Sequence, residues 1–406
     1  MRATASGAWA SYRRIWAAHT TSTFGDQVTL VALPLATYLR TESALAVGIV
    51  SSMEAITAIL LGLVAGAAAD RLPYRAVLLT TDLTRAAVLG LVALAVTGET
   101  YPVGILFAAA AALGAMRVLH DAAENAVVPL LVQPADLLRA NGQMNASEAA
   151  ANATGPAFAG ALIAAGGPAL AMAADAATFA ASGAVVGRTH RLDNRARGGG
   201  GQPERRGRLR AEIVESLRIL AGDRPMVKVL VMAMAINIVA VTVEGQFIPY
   251  AKEVLGIGGL GIGAYWALGG SVAVLTSLLA GRHQTARGDV IIIGLAVFSL
   301  GVLAAGALPS HVTAAAAYIG AGIGNALVVT HVLSLRQQRF PVRLQGRISM
   351  AVRTTAFVFV PPAHIAGGAL AAAAGPEVLY IAAASVGLAG AGVGVLSGLL
   401  RLRSAA

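Results

Sequence analysis

Twelve apolar stretches, six before a polar gap and six after it, constrain this chain more than any other feature. They fall at about 15–39, 44–69, 76–97, 102–131, 141–165 and 168–187, and again at about 227–250, 256–281, 288–308, 311–335, 346–374 and 376–400. Each is long enough to cross a bilayer, whose hydrocarbon core takes about 20 helical residues. In lipid the backbone must satisfy its own hydrogen bonds, so such stretches fold as helices. A membrane barrel would instead alternate polar and apolar residues, and that pattern is missing. With 57% hydrophobic and 12% charged residues, the chain falls far below the charge of about a quarter usual in soluble domains. The expectation is an all-α membrane protein of twelve transmembrane helices.

The net charge of +10 has a topological reading. Arg2, Arg13 and Arg14 precede the first span, Arg71 and Arg75 follow the second, and Arg139 follows the fourth. Arg282 and Arg287 follow the eighth, Arg336, Arg339, Arg343 and Arg347 the tenth, and Arg401 and Arg403 close the chain. The intervening connections are poor in arginine, as at Arg40 beside Glu42, Glu99, the Gly166–Pro168 turn, Lys252 beside Glu253, His311 and Glu377. The positive-inside bias then places both termini in the cytoplasm, in an inner-membrane protein with a retained first span rather than a signal peptide. A basic face for nucleic acid would need a soluble face, which this chain lacks, so no nucleic-acid partner is expected. Cysteine is absent, which excludes disulfides and thiolate metal sites.

Between the sets lies one long polar segment, 188–225, rich in arginine and with glycine at 198–201. It reads as a flexible cytoplasmic linker whose Ile213, Leu217 and Leu220 form one face of a short interfacial helix, or else as a site for a regulatory ligand. The domains are therefore an N-terminal six-helix bundle over 1–187, the linker over 188–225 and a C-terminal six-helix bundle over 226–406. Ordered landmarks relate the bundles as repeats. Leu33-Pro34, Gly48 and Ala65-Gly66 return 215 residues later as Ile248-Pro249, Gly263 and Ala280-Gly281. Gly160-Ala161-Leu162 with Gly167-Pro168 returns 208 residues later as Gly368-Ala369-Leu370 with Gly375-Pro376. Parallel repeats of this kind place a substrate path between the halves near the midplane in secondary transporters.

The residues also resemble a family. The run from Gly66 through Asp70 and Arg71 to Arg75 resembles the loop signature of the major facilitator superfamily, with Pro73 in place of its second glycine. That resemblance implies a conformational latch in which Asp70 pairs in one state and releases in the other. Gly155-Pro156-Ala157-Phe158-Ala159-Gly160 is similar to the motif of exporters in that superfamily, although ordinary packing in a glycine-rich helix would also explain it. The segments 15–35, 134–142 and 345–349 are similar to the branch of enterobactin exporters and macrolide-efflux proteins. The resemblance implies a drug-like compound, natural product or siderophore moved outward at the expense of protons.

Ionisable groups inside spans are costly and are functional candidates by default. The proton-coupling candidates are Asp26, Asp121, Glu124, Glu54 and Asp175, with Arg117 as charge partner. Arg117, Asp121 and Glu124 share one helix face, beside His120, and either carry protons or merely stabilise a polar cavity. Depth in the spans favours Asp26 and Asp121. Glu148 and His364 are further polar positions, and Asn237, Glu244, Asn325, His331 and Arg353 are cavity or substrate candidates. In the expected antiport, one carboxylate holds a proton or, when ionised, permits substrate binding. Asp26→Asn is then expected to leave the chain folded and remove proton-linked efflux.

Neither Lys228 nor Lys252 stands in a phosphate-binding glycine loop, so an ATP-driven pump is excluded. No Asp-x-x-x-Asp or His-Glu-x-x-His run points to a membrane enzyme. A proton-coupled importer and a non-transporting sensor remain open as alternatives. The expected partners are a small-molecule substrate, protons and the lipid bilayer, with the chain acting as a monomer and needing no cofactor or metal.

Overall fold

The computed structural model describes residues 2–69, 72–98, 101–133, 136–189, 215, 217–280, 287–340, 348, 351–352 and 355–402. The described chain is helical, in the order α1 (Arg2–Thr41), α2 (Ala44–Ala69), α3 (Tyr74–Val96), α4 (Gly104–Leu131), α5 (Leu137–Gly187), α6 (Arg224–Gly245), α7 (Phe247–Glu253), α8 (Gly259–Ala280), α9 (Gly288–Ala307), α10 (His311–Arg339), α11 (Val360–Ala374) and α12 (Pro376–Leu396). Among the described residues, nine helices are long and apolar enough to cross a membrane.

The twelve expected passes map onto these elements with two local differences. Helix α5 holds two passes, α5a and α5b, joined at Gly166 and Gly167, where φ reaches 71° at Gly167. Only glycine adopts that left-handed conformation at little cost, and Pro168 then starts the next helix with a preset φ. The seventh pass is interrupted at Gln246, between α6 and α7. Pro249 lacks the N–H that would bond the carbonyl of Gly245, so the helix yields beside a residue of poor helix propensity. With α5 counted as two, and α1 and α2 added to the nine, the passes come to twelve. Helix α1 stays out of the nine because Thr20, Thr21, Ser22, Thr23, Asp26, Gln27 and Thr29 lower its hydropathy. In the polar linker, residues 217–222 are helical, with Leu220 buried and Leu217 exposed, and Ile213 lies outside the described residues.

The chain forms two compact units, Met1–Gln202 with Gly258–Ala267, and Pro203–Ile257 with Leu268–Ala406. In the first, α1 packs along both halves of α5, α3 packs on α4 and α5, and α2 packs on α4. In the second, α6 packs on α10, α11 and α12, while α9 packs on α10 and α12. The α3–α4 and α3–α5 packing of the first unit recurs as α9–α10 and α9–α12 in the second. The turn glycine repeats too: Gly375, with φ of 92°, precedes Pro376 as Gly167 precedes Pro168.

Each unit has one basic end. In the first, Arg75 donates to the Gly187 carbonyl at the end of α5, and Arg14 Nη1 donates to the Arg188 carbonyl at 3.3 Å. Cations here meet the negative end of the helix dipole and carbonyls that lack helical partners. In the second, Asp223 caps α6 by accepting from Met226 N at 2.9 Å and also accepts from Arg339 Nε. Lys228 donates to the Ser397 carbonyl near the end of α12. At its other end an aromatic group closes the unit: Tyr250 stacks on Tyr380 with centroids 4.4 Å apart, and Phe247 meets Tyr318 edge-on at 4.7 Å.

Candidate functional site

Polar groups that the sequence scatters over α1, α3, α4 and α5 converge inside the first unit. Asp26 on α1 forms an ion pair with Arg85 on α3, whose side chain is 4% exposed against 21% for the carboxylate. The Arg85 guanidinium also lies over the ring of Phe179, 3.9 Å from its centroid. That cation–π contact replaces water on one face of the charge.

Two further carboxylates are fully buried beside this pair. Asp175 accepts hydrogen bonds from the hydroxyls of Thr29 and Thr178, the latter at 2.9 Å. Asp82 accepts from Ser182 Oγ at 2.7 Å, and its second oxygen lies 3.3 Å from His120 Nδ1. Thr81 Oγ1 lies 3.0 Å from the same imidazole nitrogen. His19 Nδ1 meets Glu124 Oε2 at 2.9 Å, and its Nε2 lies 3.9 Å from Glu148. Asp121 lies within electrostatic reach of Arg117, His120, Glu124 and Asp26, on an exposed face of α4.

Gly25 makes this arrangement possible. A Cβ there would stand 2.0 Å from Asp175 Oδ1 and 2.1 Å from Thr178 Oγ1. The bare backbone of α1 therefore forms one wall of the Asp175 site. Of this group the sequence candidates include Asp26, Asp121, Glu124 and Asp175 but not Asp82, Arg85 or His19. The signal that finds all three is the same, an ionisable residue well inside an apolar run.

The exporter-like motif on α5a sits at two close approaches. A Cβ on Gly155 would be 2.4 Å from Gln27 Cβ, and Gln27 Nε2 donates to Asn152 Oδ1 at 2.6 Å. A Cβ on Gly160 would be 2.7 Å from the Gly259 carbonyl, and one on Gly263 only 2.4 Å from the Pro156 carbonyl. Small residues thus let α5a meet backbone directly, which is how membrane helices gain packing without a hydrophobic drive between them.

The other sequence candidates are dispersed. Asn237 Nδ2 donates to the Ala356 carbonyl at 3.1 Å, and His331 Nδ1 pairs with the Leu327 carbonyl one turn back at 2.9 Å. Glu244 and Asn325 are exposed on the second unit, and among the described residues no hydrogen bond joins them to each other or to Asn237. His364 packs against Gly245, where a Cβ would be 2.4 Å from its Nδ1. Gly66 lies in α2, as does Glu54, while Asp70, Arg71 and Arg353 lie outside the described residues. Among the described residues, no group of three or more His, Cys, Asp or Glu is placed to hold a metal ion.

The family model for the Major Facilitator Superfamily matches residues 15–361. No match is found among curated proteins. Solved structures similar to this one include a bacterial homologue of the human lysosomal transporter Spinster, inward-facing and unoccupied, with a TM-score of 0.74 and 13% identity over 97% of this chain and 98% of that one. A bacterial homologue of the iron transporter ferroportin, inward-facing, has a TM-score of 0.72 and 17% identity over 96% of this chain and 98% of that one. The nucleoside transporter NupG has a TM-score of 0.73 and 13% identity over 96% and 99%. At these identities the likeness is one of fold.

Proposed function

The chain belongs to the major facilitator superfamily, and we propose that it is a proton-coupled exporter of a drug-like small molecule, natural product or siderophore. The observation that carries this reading is the charge balance of the first unit. Four carboxylates, those of Asp26, Asp82, Glu124 and Asp175, converge on one buried guanidinium, Arg85, and two imidazoles, His19 and His120. Carboxylates in excess of the cations around them are costly to bury, and on this proposal the cluster holds protons to meet that cost. A group of sites that must hold protons, and can hold fewer when a substrate or another cation supplies the charge, is the chemical requirement for antiport.

In the proposed cycle, two six-helix halves over 1–187 and 226–406 alternate access around the substrate. Protonation of Asp26 weakens its hold on Arg85 and frees the side-chain link between α1 and α3, both of which pack on α5. Loss of that proton restores the pair and resets the helices. The arginine-rich connections support an orientation with both termini cytoplasmic, and the proposal includes an inner-membrane location and a monomeric chain. The outward direction rests on the resemblance of Gly155–Gly160 and of segments 15–35, 134–142 and 345–349 to the enterobactin-exporter and macrolide-efflux branch. Asp70 is proposed as the latch, and Asp70→Asn is expected to slow cycling while leaving substrate affinity intact, read as a fall in transport rate with unchanged equilibrium binding. Equal loss of both would remove the latch assignment.

The direct test is a susceptibility and efflux screen in cells lacking their own pumps, with and without a protonophore. The expected result is reduced accumulation of at least one compound, reversed by the protonophore. Protonophore-sensitive uptake would make the chain an importer, and flux insensitive to the proton gradient would overturn the coupling.

A further inference from the structure

A pocket of about 510 Å³ lies between the N-terminal third of α1 and the first turns of α5, lined by Trp9, Arg13, Trp16, Arg139 and Gln143. Its lining residues are distinct from those of the carboxylate cluster, and it lies toward the basic end of the unit. The side chains give it a definite chemistry. Trp9 is fixed by donation from Nε1 to Asp136 Oδ2 at 3.4 Å and by an edge contact with Tyr12. Trp16 Nε1 donates to Ser147 Oγ at 3.0 Å and to the Gln143 carbonyl at 3.2 Å. The Arg139 guanidinium lies over the Trp9 ring at 5.2 Å, and Arg13 is exposed across from it. Gln143 Oε1 is buried without a hydrogen-bond partner. Asp136, already engaged by Trp9, is the acid at the rim.

We propose that this pocket binds the headgroup of an anionic glycerophospholipid of the surrounding bilayer. Tryptophans whose N–H groups are satisfied and whose rings line a surface pocket are side chains suited to the headgroup level of a membrane. Two guanidiniums supply the charge and the paired donors that a phosphate diester accepts. Basic pockets between transmembrane helices select anionic headgroups on these grounds. The occupant therefore bridges α1, which carries Asp26, and α5, which carries Asp175. The assignment is independent of the transported substrate and of its direction.

Tryptophan fluorescence tests this directly, because the chain has three tryptophans and two line the pocket. With Trp266→Phe as background, the purified protein is reconstituted into vesicles of brominated phosphatidylglycerol mixed with plain phosphatidylcholine, and into the converse mixture. The expected result is stronger quenching by the brominated anionic lipid, with an apparent preference of about tenfold that falls toward unity in Arg13→Gln/Arg139→Gln. Arg13→Lys/Arg139→Lys, which keeps the charge and controls for folding, should retain part of the preference. Equal quenching by both lipids, or a preference that survives the glutamine pair, overturns the proposal. So does loss of the preference on adding free glycerol 3-phosphate at millimolar concentration, which would make the pocket a soluble-phosphate site.

Discussion

Asp26→Asn is expected to bring proton-driven efflux to background and to weaken the fold of the first unit. The sequence alone leads one to expect a folded, uncoupled variant, because it shows Asp26 as an acid inside an apolar stretch and no partner for it. The structure adds Arg85, which is nearly enclosed and faces Phe179 on one side. An asparagine cannot neutralise that guanidinium, and removing one partner of a buried pair costs about 3 kcal/mol. The variant should therefore melt at lower temperature in detergent as well as lose coupling. Asp26→Asn/Arg85→Gln removes both charges and separates the two effects. Its melting temperature should recover part of the loss, since the guanidinium no longer stands unpaired although Asp82, Glu124 and Asp175 lose its field, while uphill efflux stays at background. Substrate exchange without a gradient should persist in the double variant if the helices still move. Uphill efflux at the parent rate in Asp26→Asn would show that Asp26 carries no coupling proton, and recovery of coupling in the double variant would assign the proton elsewhere in the cluster.

The second large effect belongs to a residue with no side chain. Gly25→Ala places a methyl within 2.0 Å of a carboxylate oxygen that two hydroxyls hold in position. Asp175 cannot turn aside without giving up Thr29 or Thr178, and α1 cannot shift without loosening the Asp26–Arg85 pair one residue on. Overpacking costs about 1–3 kcal/mol where neighbours can adjust, and here the neighbours are pinned, so the expected cost lies at the upper end. A fall in the monodisperse fraction on size exclusion, together with a lower melting temperature, would show it. Gly142→Ala is the matching control, because a Cβ there meets nothing within 4 Å. In a helix interior it should be neutral or stabilising by up to about 1 kcal/mol. Equal behaviour of the two alanine variants would mean that the close approach at Gly25 is not maintained in the membrane.

Much of the architecture was legible because the bilayer leaves few options. Length and hydropathy alone give the passes, and the paired Gly-Pro dipeptides mark turns whose backbone only glycine tolerates. The interruption at Gln246 was less legible, since Pro34 occupies the corresponding position in α1 and that helix runs on without a break. The difference lies four residues earlier, where the first repeat has Leu30 and the second Gly245. The site was legible only as a set of acids. Sequence spacing relates Arg117 to Asp121 and Glu124 because they share a helix, but it is blind to partners 59 residues apart such as Asp26 and Arg85. Asp82 and Arg85 sit in a pass whose hydropathy of 1.7 reads as plain membrane anchor. Tertiary pairing, not local pattern, distinguishes a proton-bearing carboxylate from a structural one, and a single sequence does not contain that pairing.

The two-residue turn at Gly166-Gly167, matched by the single Gly375 before α12, has a practical consequence for studying the molecule in cells. At the end away from the arginines these hairpins leave almost no chain between consecutive helices, so neither a protease nor an inserted epitope tag has a foothold there. Accessibility mapping of that end is better served by longer connections such as the one after α3, where Thr97 and Gly98 are exposed. Tags set into the glycine turns would report their own damage to the hairpin rather than its sidedness.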